Sequence, residues 1–233
     1  MKSILLAALI LFGTVGVFAQ ERTMSKAEFD SVIKNAKWAL TEWKGKSSRM
    51  IQTSEARAEG KIKEFSSGKT TIEFASPTVS RLTSEITSGS KNTKSESIRI
   101  GDKTYKRSDD GAWTEGIIEA KTKTTEPPPP PPAPVAEDQS EKLTEYKYLG
   151  TEQLSGMTAN VYVVTTKIKR LSPTTGKEVL STSTNKYWLG EDGVKLKEES
   201  IGETRGGETS IYRRLTVVWE LDPTIKVEAP TIN

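Results

Sequence analysis

A capping signature followed by apolar positions three and four residues apart predicts one helix near the N-terminus. In Ser25-Lys26-Ala27-Glu28 the Glu28 amide can donate to the Ser25 hydroxyl, and the Ser25 amide can donate to the Glu28 carboxylate. The apolar stripe behind this capping box consists of Phe29, Val32, Ile33, Ala36, Leu40 and Trp43. With Gly45 as the C-terminal cap, the pattern predicts a helix over 26–44 whose stripe packs against a sheet.

From Ser47 onward the period of the apolar positions changes to two, which is typical of half-buried strands. The predicted strands are 48–58, 61–66, 69–75, 78–88, 95–100 and 103–108, and then 143–153, 158–170, 178–189, 194–204 and 208–221. Short turns join them, so consecutive strands are expected to be antiparallel neighbours in a meander. On one face of the last strand, Arg213 lies among apolar residues that include Leu215 and Trp219.

The first nineteen residues have the pattern of a cleavable export signal. Lys2 precedes an apolar stretch that runs to Val17, and we expect cleavage after Ala19. A membrane anchor is the alternative, but two glycines interrupt the stretch, which is short for a bilayer span of about 20 residues. The sequence therefore predicts a mature chain from residue 20 onward, in the periplasm or outside the cell, with no transmembrane anchor.

A proline run from Pro127 to Pro134 separates the two groups of strands. Proline lacks an amide donor and favours the stiff polyproline II form, so 119–141 is predicted to be a disordered insertion. We interpret it as a solvent-exposed connection; the alternatives are a spacer and a ligand for an envelope protein partner. The second group of strands has no helix of its own, so 20–118 and 142–233 are expected to form two parts of one structure.

The amino-acid composition excludes several classes of functional site. The 233 residues include no Cys and no His, which excludes disulfides, Cys/His metal sites, thiol nucleophiles and imidazole bases. The 34 Lys and Arg residues are interspersed with 31 Asp and Glu residues, and a net charge of +3 does not indicate a nucleic-acid partner. A bacterial lipid anchor needs a cysteine after the cleavage site, where this chain has Gln20.

Catalytic motifs are weak. Ser-x-x-Lys occurs at Ser31–Lys34, Ser66–Lys69 and Ser88–Lys91 without the motifs that accompany it in serine–lysine enzymes. The pairs Asp109-Asp110 and Glu191-Asp192 each precede a glycine, as hairpin turns do, and no calcium-loop spacing follows them. We therefore expect a non-enzymatic protein with no cofactor and no metal. A hydrolase would need two carboxylates about 5–10 Å apart in a cleft, and the sequence predicts no such pair.

Segments along nearly the whole mature chain together carry a family resemblance. They are the helix from Ser25 to Trp43, the strand that begins at Ser48, Thr71 to Phe74, Pro77 to Arg81, Ile100 to Tyr105 with Trp113, Gly150 to Gly156, Val161 to Val164, Lys186 to Leu189, and Gly193 to Lys197. Their order resembles the LolA/LolB-like half-barrel superfamily of periplasmic lipoprotein carriers and related envelope lipid-binding proteins. The resemblance implies a mainly β fold with one N-terminal α-helix, in which an antiparallel meander is curved into a half-barrel packed around the helix.

In that family the space between helix and sheet holds acyl chains, so the resemblance implies a lipid or lipoprotein ligand. The residues implied to line the cavity are Phe29, Val32, Ile33, Leu40, Trp43, Phe74, Leu82, Trp113, Trp188, Leu215 and Trp219. Arg49 and Arg213 are candidate polar anchors by strand position. The alternative hypothesis is an envelope scaffold that uses the proline run or a sheet face to hold a partner, without a small-molecule ligand.

Overall fold

The computed structural model describes residues 21–118, 140–172, 175–206 and 208–232. The predicted export signal and the proline run from Pro127 to Pro134 both lie outside these residues. The predictions made for these two segments, including the cleavage after Ala19 and the partner-binding role, stay predictions.

The described residues form mostly strands, as the period of two predicts. The two helices are α1 (Lys26–Asn35) and α2 (Ala39–Glu42). The strands are β1 (Arg22–Thr23), β2 (Lys37–Trp38), β3 (Ser48–Gly60), β4 (Glu64–Ser76), β5 (Val79–Ser88), β6 (Lys91–Ile100), β7 (Lys103–Ser108), β8 (Thr114–Ile117), β9 (Glu141–Leu154), β10 (Met157–Leu171), β11 (Glu178–Gly190), β12 (Val194–Arg205) and β13 (Thr209–Leu221). The expectation of a mainly β protein built from antiparallel neighbours is confirmed.

All the strands belong to one sheet made of two meanders. Its order is β1-β9-β10-β11-β12-β13-β3-β4-β5-β6-β7-β8, and the short β2 pairs with β12 in parallel. The two meanders meet where β13 pairs with β3, in a continuous antiparallel register from Thr209 opposite Gly60 to Leu221 opposite Ser48. The first and the last long strands of the chain therefore hold the two halves together.

The predicted helix over 26–44 is wrong in its length. Its capping box is present, since the Glu28 amide donates to the Ser25 hydroxyl at 3.2 Å and the Ser25 amide donates to the Glu28 carboxylate at 2.7 Å. However, Ala36 is extended, with φ −65° and ψ 132°, and α1 ends before it. The Lys37 amide then donates to the Gly193 carbonyl at 3.0 Å, so pairing with β12 replaces the next helical hydrogen bonds.

The predicted strands 61–66 and 69–75 are one strand, β4. Gly68, which suggested a turn between them, is paired with Ser54 on one side and with Ile86 on the other. A glycine in mid-strand keeps its ladder hydrogen bonds, because only its side chain is missing. The edge strand β8 has no counterpart among the predicted strands, since Thr114–Ile117 is short and all four residues are exposed.

The core lies at one end of the sheet, under α2. Ala39 and Trp43 of this segment are buried in one apolar cluster with Trp188, Leu196 and Trp219. The remaining buried members of the cluster are Ala159, Val161 and Val194. A ten-residue helix is about 15 Å long and a strand of 13 residues is about 43 Å long, so the two helices cover only part of the sheet.

Candidate functional site

The strand register assigns each side chain to one of two faces, because residues directly opposite each other in an antiparallel ladder point to the same side. We call the side that carries Tyr146, Tyr187 and Trp219 the helix-side face. The Phe29 ring lies 5.1 Å from that of Tyr146 and 6.2 Å from that of Tyr187, and the Trp38 ring lies 6.1 Å from that of Trp219. We call the opposite side the outer face.

Arg213 lies on the helix-side face, in the part that the helices leave uncovered. It alternates along β13 with Ile211 and Leu215, which are 37% and 39% exposed. Its cross-strand neighbours are Gly202 on β12 and Ala56 on β3. The immediate neighbours of this cation along and across the strands are therefore small or apolar.

The charge of Arg213 is uncompensated within the described part of the chain. The Arg213 guanidinium is exposed and has neither a carboxylate partner nor a hydrogen bond nor an aromatic ring contact among those residues. An arginine carries its charge at any physiological pH and offers five N–H donors in a planar fork. These donors are free to bind a carboxylate or a phosphate.

Three adjoining clefts share Arg213. Their volumes are 320, 380 and 600 Å³, within or near the range of about 300–1,000 Å³ that is usual for small-molecule sites. The first two also share Ser183 and Gly202, and the last two share Ala56 and Ser66. Small side chains, hydroxyl groups and a few aliphatic residues make up the shared floor, and Lys63 and Glu64 also line the third cleft.

Gly202 lies at the centre of this floor and leaves room above it. A Cβ atom placed on Gly202 meets no atom within 4 Å. The register places Gly202 between Ser183 and Arg213, so the space lies directly beside the guanidinium. A side chain at this position would occupy the cleft.

The clefts lie on the sheet and not between the helices and the sheet. Residues of α1 and α2 are absent from the lining of the three clefts. Ala39 and Trp43 fill the space under α2, being 0% and 7% exposed. Any ligand in these clefts would therefore rest on the uncovered strands.

The structure places several candidate lining residues on or toward the helix-side face. Phe74, Leu82 and Leu215 point to it from three strands, and Trp219 is buried in the core at its end. Phe29 and Trp43 are buried against it, and Val32 and Ile33 are half-buried on α1. Leu40 is 44% exposed, because the end of α1 at Asn35 takes it out of the predicted stripe.

Three other candidates do not line these clefts. Trp188 is opposite Lys197 and Val161 in the register, and its indole N–H donates to Glu152 at 2.6 Å. Trp113 lies against the guanidinium of Arg107, 4.7 Å from the ring centre. Arg49 points to the outer face, and Trp188 belongs to the core cluster with Ala39 and Trp43. None of the three lines a cleft that contains Arg213.

Arg49 is committed to an ion-pair network. Its guanidinium lies 2.9 Å from a carboxylate oxygen of Glu73, 3.0 Å from Asp222 and 4.0 Å from Glu220. Hydrogen bonds from the hydroxyl and amide of Thr224, together with the charge of Arg49, hold the pKa of Asp222 below its usual value against the opposing effect of desolvation. Of the two candidate anchors, Arg213 is therefore the one with free donors.

The network of Arg49 continues across the outer face. Glu73 also faces Arg81 at 4.0 Å, Arg81 lies 3.5 Å from Glu96, and Glu96 lies 2.6 Å from Arg107. With Arg49, this charge ladder crosses the strands from β13 to β7. Its carboxylates and guanidinium groups are 13–35% exposed, so solvent screens them less than it screens a surface pair.

The described residues lack both a metal-binding cluster and a membrane-spanning helix. They contain no group of three or more Asp and Glu side chains placed to hold a metal ion. Within the same residues, neither helix is long and apolar enough to cross a membrane.

Sequence reasoning missed the small residues of the floor. Ala56, Ser66, Ser183 and Gly202 come from four strands and have no motif in common. A signal was available in the mid-strand positions, where small residues replace the bulky β-branched side chains that favour strands. The register that brings these positions together could not be read from the sequence.

No family model matches the chain, and no curated protein matches it. The solved structures to which the chain is similar include a LolA superfamily protein from Nitrosomonas europaea, with 10% identity and a TM-score of 0.25, covering 87% of this chain and 94% of that one. A DUF1329 family protein from Desulfovibrio piger has 10% identity and a TM-score of 0.23, with 86% and 94% covered.

The translocator domain of the autotransporter NalP from Neisseria meningitidis is also similar, with 11% identity, a TM-score of 0.18, and 83% and 93% of the two chains covered. At such TM-scores the likeness carries no conclusion about the fold or the function of this chain.

Proposed function

We propose that this protein is an exported, non-enzymatic carrier or sensor of an anionic amphiphile, such as a fatty acid or an acidic phospholipid. The observation that carries the proposal is the unpaired Arg213 at the junction of three adjoining clefts on the helix-side face. In this proposal the guanidinium binds the acidic head of the ligand, and the acyl chain lies along the floor toward Ile211 and Leu215.

The acyl chain and the acidic head of the ligand each contribute favourable binding free energy. Burying the half-exposed aliphatic side chains of the floor under an acyl chain gains about 25 cal/mol for each Å² of apolar surface removed from water. A charge-assisted hydrogen bond to Arg213 adds about 1.5–3 kcal/mol, because this arginine has no internal partner to give up. A neutral hydrocarbon would gain from the burial of apolar surface but not from the hydrogen bond to Arg213.

The experiment that tests the proposal is native mass spectrometry of the protein purified without detergent from the envelope of its own host. The expected result is a stoichiometric adduct that leaves only on denaturation and contains an acyl chain with an acidic group. A clean mass of the unliganded protein under gentle conditions would count against carriage.

Two variants locate the ligand with a defined probe, palmitoyl lysophosphatidylglycerol below its micellar concentration. Arg213→Gln is expected to weaken binding about tenfold and to remove the preference over palmitoyl lysophosphatidylcholine. Gly202→Phe is expected to abolish binding, because its ring would occupy the open space above the floor. Phenylalanine is also compatible with a strand, so this variant is expected to fold.

Lys106→Gln is the matched control, since Lys106 is an exposed cation on the helix-side face of β7, away from the three clefts. It is expected to bind the probe like the unmodified protein. Unchanged binding by Gly202→Phe, measured by isothermal titration calorimetry, would show that the ligand binds elsewhere.

A further inference from the structure

A cleft of 730 Å³ lies on the outer face, and Arg213 is not among the residues that line it. Its floor is formed by β13, β3, β4 and β5, with Asn92 of β6 at its border. One row of cross-strand neighbours is Arg214, Glu55, Ser67, Thr87 and Asn92. A second row is Thr216, Thr53, Lys69 and Glu85.

The two rows make a broad polar surface. With strands about 4.8 Å apart, five neighbouring side chains extend over about 19 Å, and two residues along a strand separate the rows by about 7 Å. Hydroxyl and amide groups alternate with charged ones on this surface, and Phe65 adds one aromatic ring at its edge. Such a surface offers many hydrogen-bonding groups.

All the charged residues of this cleft except Lys69 have an ionic partner. Arg57 lies 2.5 Å from Glu55, Arg214 lies 2.5 Å from Glu199 on the neighbouring strand, and Glu85 lies 3.7 Å from Lys94.

Lys69 is exposed between Thr53 and Glu85 in the register, and among the described residues its ammonium group has no hydrogen bond, ion pair or ring contact. The cleft therefore keeps one uncompensated positive charge.

The hydroxyl groups next to Lys69 are uncommitted as well. The Thr53 hydroxyl, directly opposite Lys69, and the Ser67 hydroxyl, in the next row, have no hydrogen-bond partner within the described part of the chain. The Thr87 hydroxyl donates to the Asn92 side-chain oxygen at 3.4 Å, which leaves the Asn92 amide N–H groups free. One free cation is thus surrounded by several free hydroxyl and amide groups.

We propose that this outer-face cleft binds an acidic glycan, with a sugar carboxylate at Lys69 and sugar hydroxyl groups at Thr53, Ser67 and Asn92. Charge complementarity selects an acidic ligand, and the number of free donors and acceptors selects a ligand rich in hydroxyl groups. The Phe65 ring and the exposed length of the cleft suit a chain of sugar rings. This binding is independent of the amphiphile proposed for the helix-side face.

The test uses three probes in isothermal titration calorimetry and in NMR titrations of the labelled full chain. Trigalacturonate has sugar rings and carboxylates, maltotriose has three rings without charge, and citrate has carboxylates without rings. The expected result is saturable binding of trigalacturonate, with shifts at β3, β4 and β5, and binding at least about tenfold weaker for each of the other two.

Two variants distinguish binding in this cleft from nonspecific attraction of the anionic probe to exposed lysines. Lys69→Gln is expected to weaken trigalacturonate binding about tenfold. Lys167→Gln is the matched control, because Lys167 is also an exposed, unpaired lysine on a long strand, on the outer face and away from this cleft. It is expected to leave binding unchanged, and thermal unfolding is expected to show that both variants are folded.

Three results would overturn the proposal: no saturable binding of trigalacturonate, equally tight binding of citrate, or equal losses in Lys69→Gln and Lys167→Gln. The first means that the cleft is a solvated sheet face, the second that it is a site for simple anions, and the third that the attraction is not localised. Each is independent of whether an acyl chain binds beside Arg213.

Discussion

Trp188 and Trp219 are both buried, at 2% and 5% exposure, but only the indole of Trp188 has a hydrogen-bond partner. Its N–H donates to Glu152, and the ammonium groups of Lys186 and Lys197 lie 4.4 and 4.1 Å from the centre of its ring. The indole N–H of Trp219 has no partner within the described residues. The two tryptophans therefore differ in their polar contacts although both contribute to the core.

This difference predicts unequal costs for the same substitution. Trp188→Phe is expected to lower the free energy of unfolding by about 1–2 kcal/mol more than Trp219→Phe, because it breaks a hydrogen bond to a carboxylate. Both variants lose similar apolar volume, so each serves as the control of the other. Urea unfolding at neutral pH measures the difference, and equal costs would mean that the Glu152 contact contributes nothing.

The same contact has a pH dependence. Burial raises the pKa of Glu152, but hydrogen bonds from Trp188 and Lys186 outweigh it, and the resulting pKa is lower than usual. A lowered folded-state pKa gives stability that is present above the unfolded pKa and is lost as the pH falls through the folded value. The excess cost of Trp188→Phe is therefore expected to shrink on acidification through this range.

At the scale of elements, the sequence predicted the long strands, and it missed the short strands β1, β2 and β8 and the end of α1. The alternation in β9 to β13 predicted five strands whose ends agree with the structure to within two residues. The helix was overestimated because Ala36, Leu40 and Trp43 continue the apolar spacing of α1. Pairing of Lys37 and Trp38 with β12 competes with the helix, and this long-range contact leaves no local pattern.

The charge ladder on the outer face is expected to contribute to the free energy of unfolding. Glu96 is 13% exposed and lies between Arg81 and Arg107, so Glu96→Gln would leave two half-buried guanidinium groups without their shared partner. We expect a loss of about 1–2 kcal/mol in the free energy of unfolding. Glu178→Gln removes an exposed pair with Lys169 and is expected to cost less than about 0.5 kcal/mol.

Chemical denaturation of the two variants in low and in high salt measures these costs. The ladder variant is expected to retain most of its loss in high salt, because half-buried charges are less screened than exposed ones. Equal effects of the two substitutions would show that the ladder acts as a set of independent surface pairs.

At the scale of the whole molecule, the two meanders depend on each other. β1 and β2 come from the first part of the chain and pair with β9 and β12 of the second, and β3 pairs with β13 along its full length. The core cluster likewise combines Ala39 and Trp43 with Trp188 and Trp219. Neither half contains a complete core.

This arrangement predicts fragment complementation. Fragments 20–118 and 140–233 are expected to be unfolded alone and to form a folded one-to-one complex when they are produced together, because the contacts between them include the β3–β13 ladder and the core. Copurification and the dispersion of NMR spectra measure this. The control is fragment 140–233 with Trp219→Asp, which is expected not to associate with fragment 20–118. Cooperative unfolding of fragment 20–118 alone would instead show two separate domains.

The sequence by itself determined the mainly β character, the antiparallel neighbours, the capped start of α1 and the exclusion of cysteine and histidine chemistry, because these follow from composition and local periodicity. It also indicated Arg213, which interrupts an apolar alternation in β13. Only the tertiary structure decided that Arg213 is unpaired while Arg49 is neutralised, and that small residues from four strands form a floor beside Arg213. Ion pairing and clefts depend on strand register, and register is set by contacts between residues far apart in the chain.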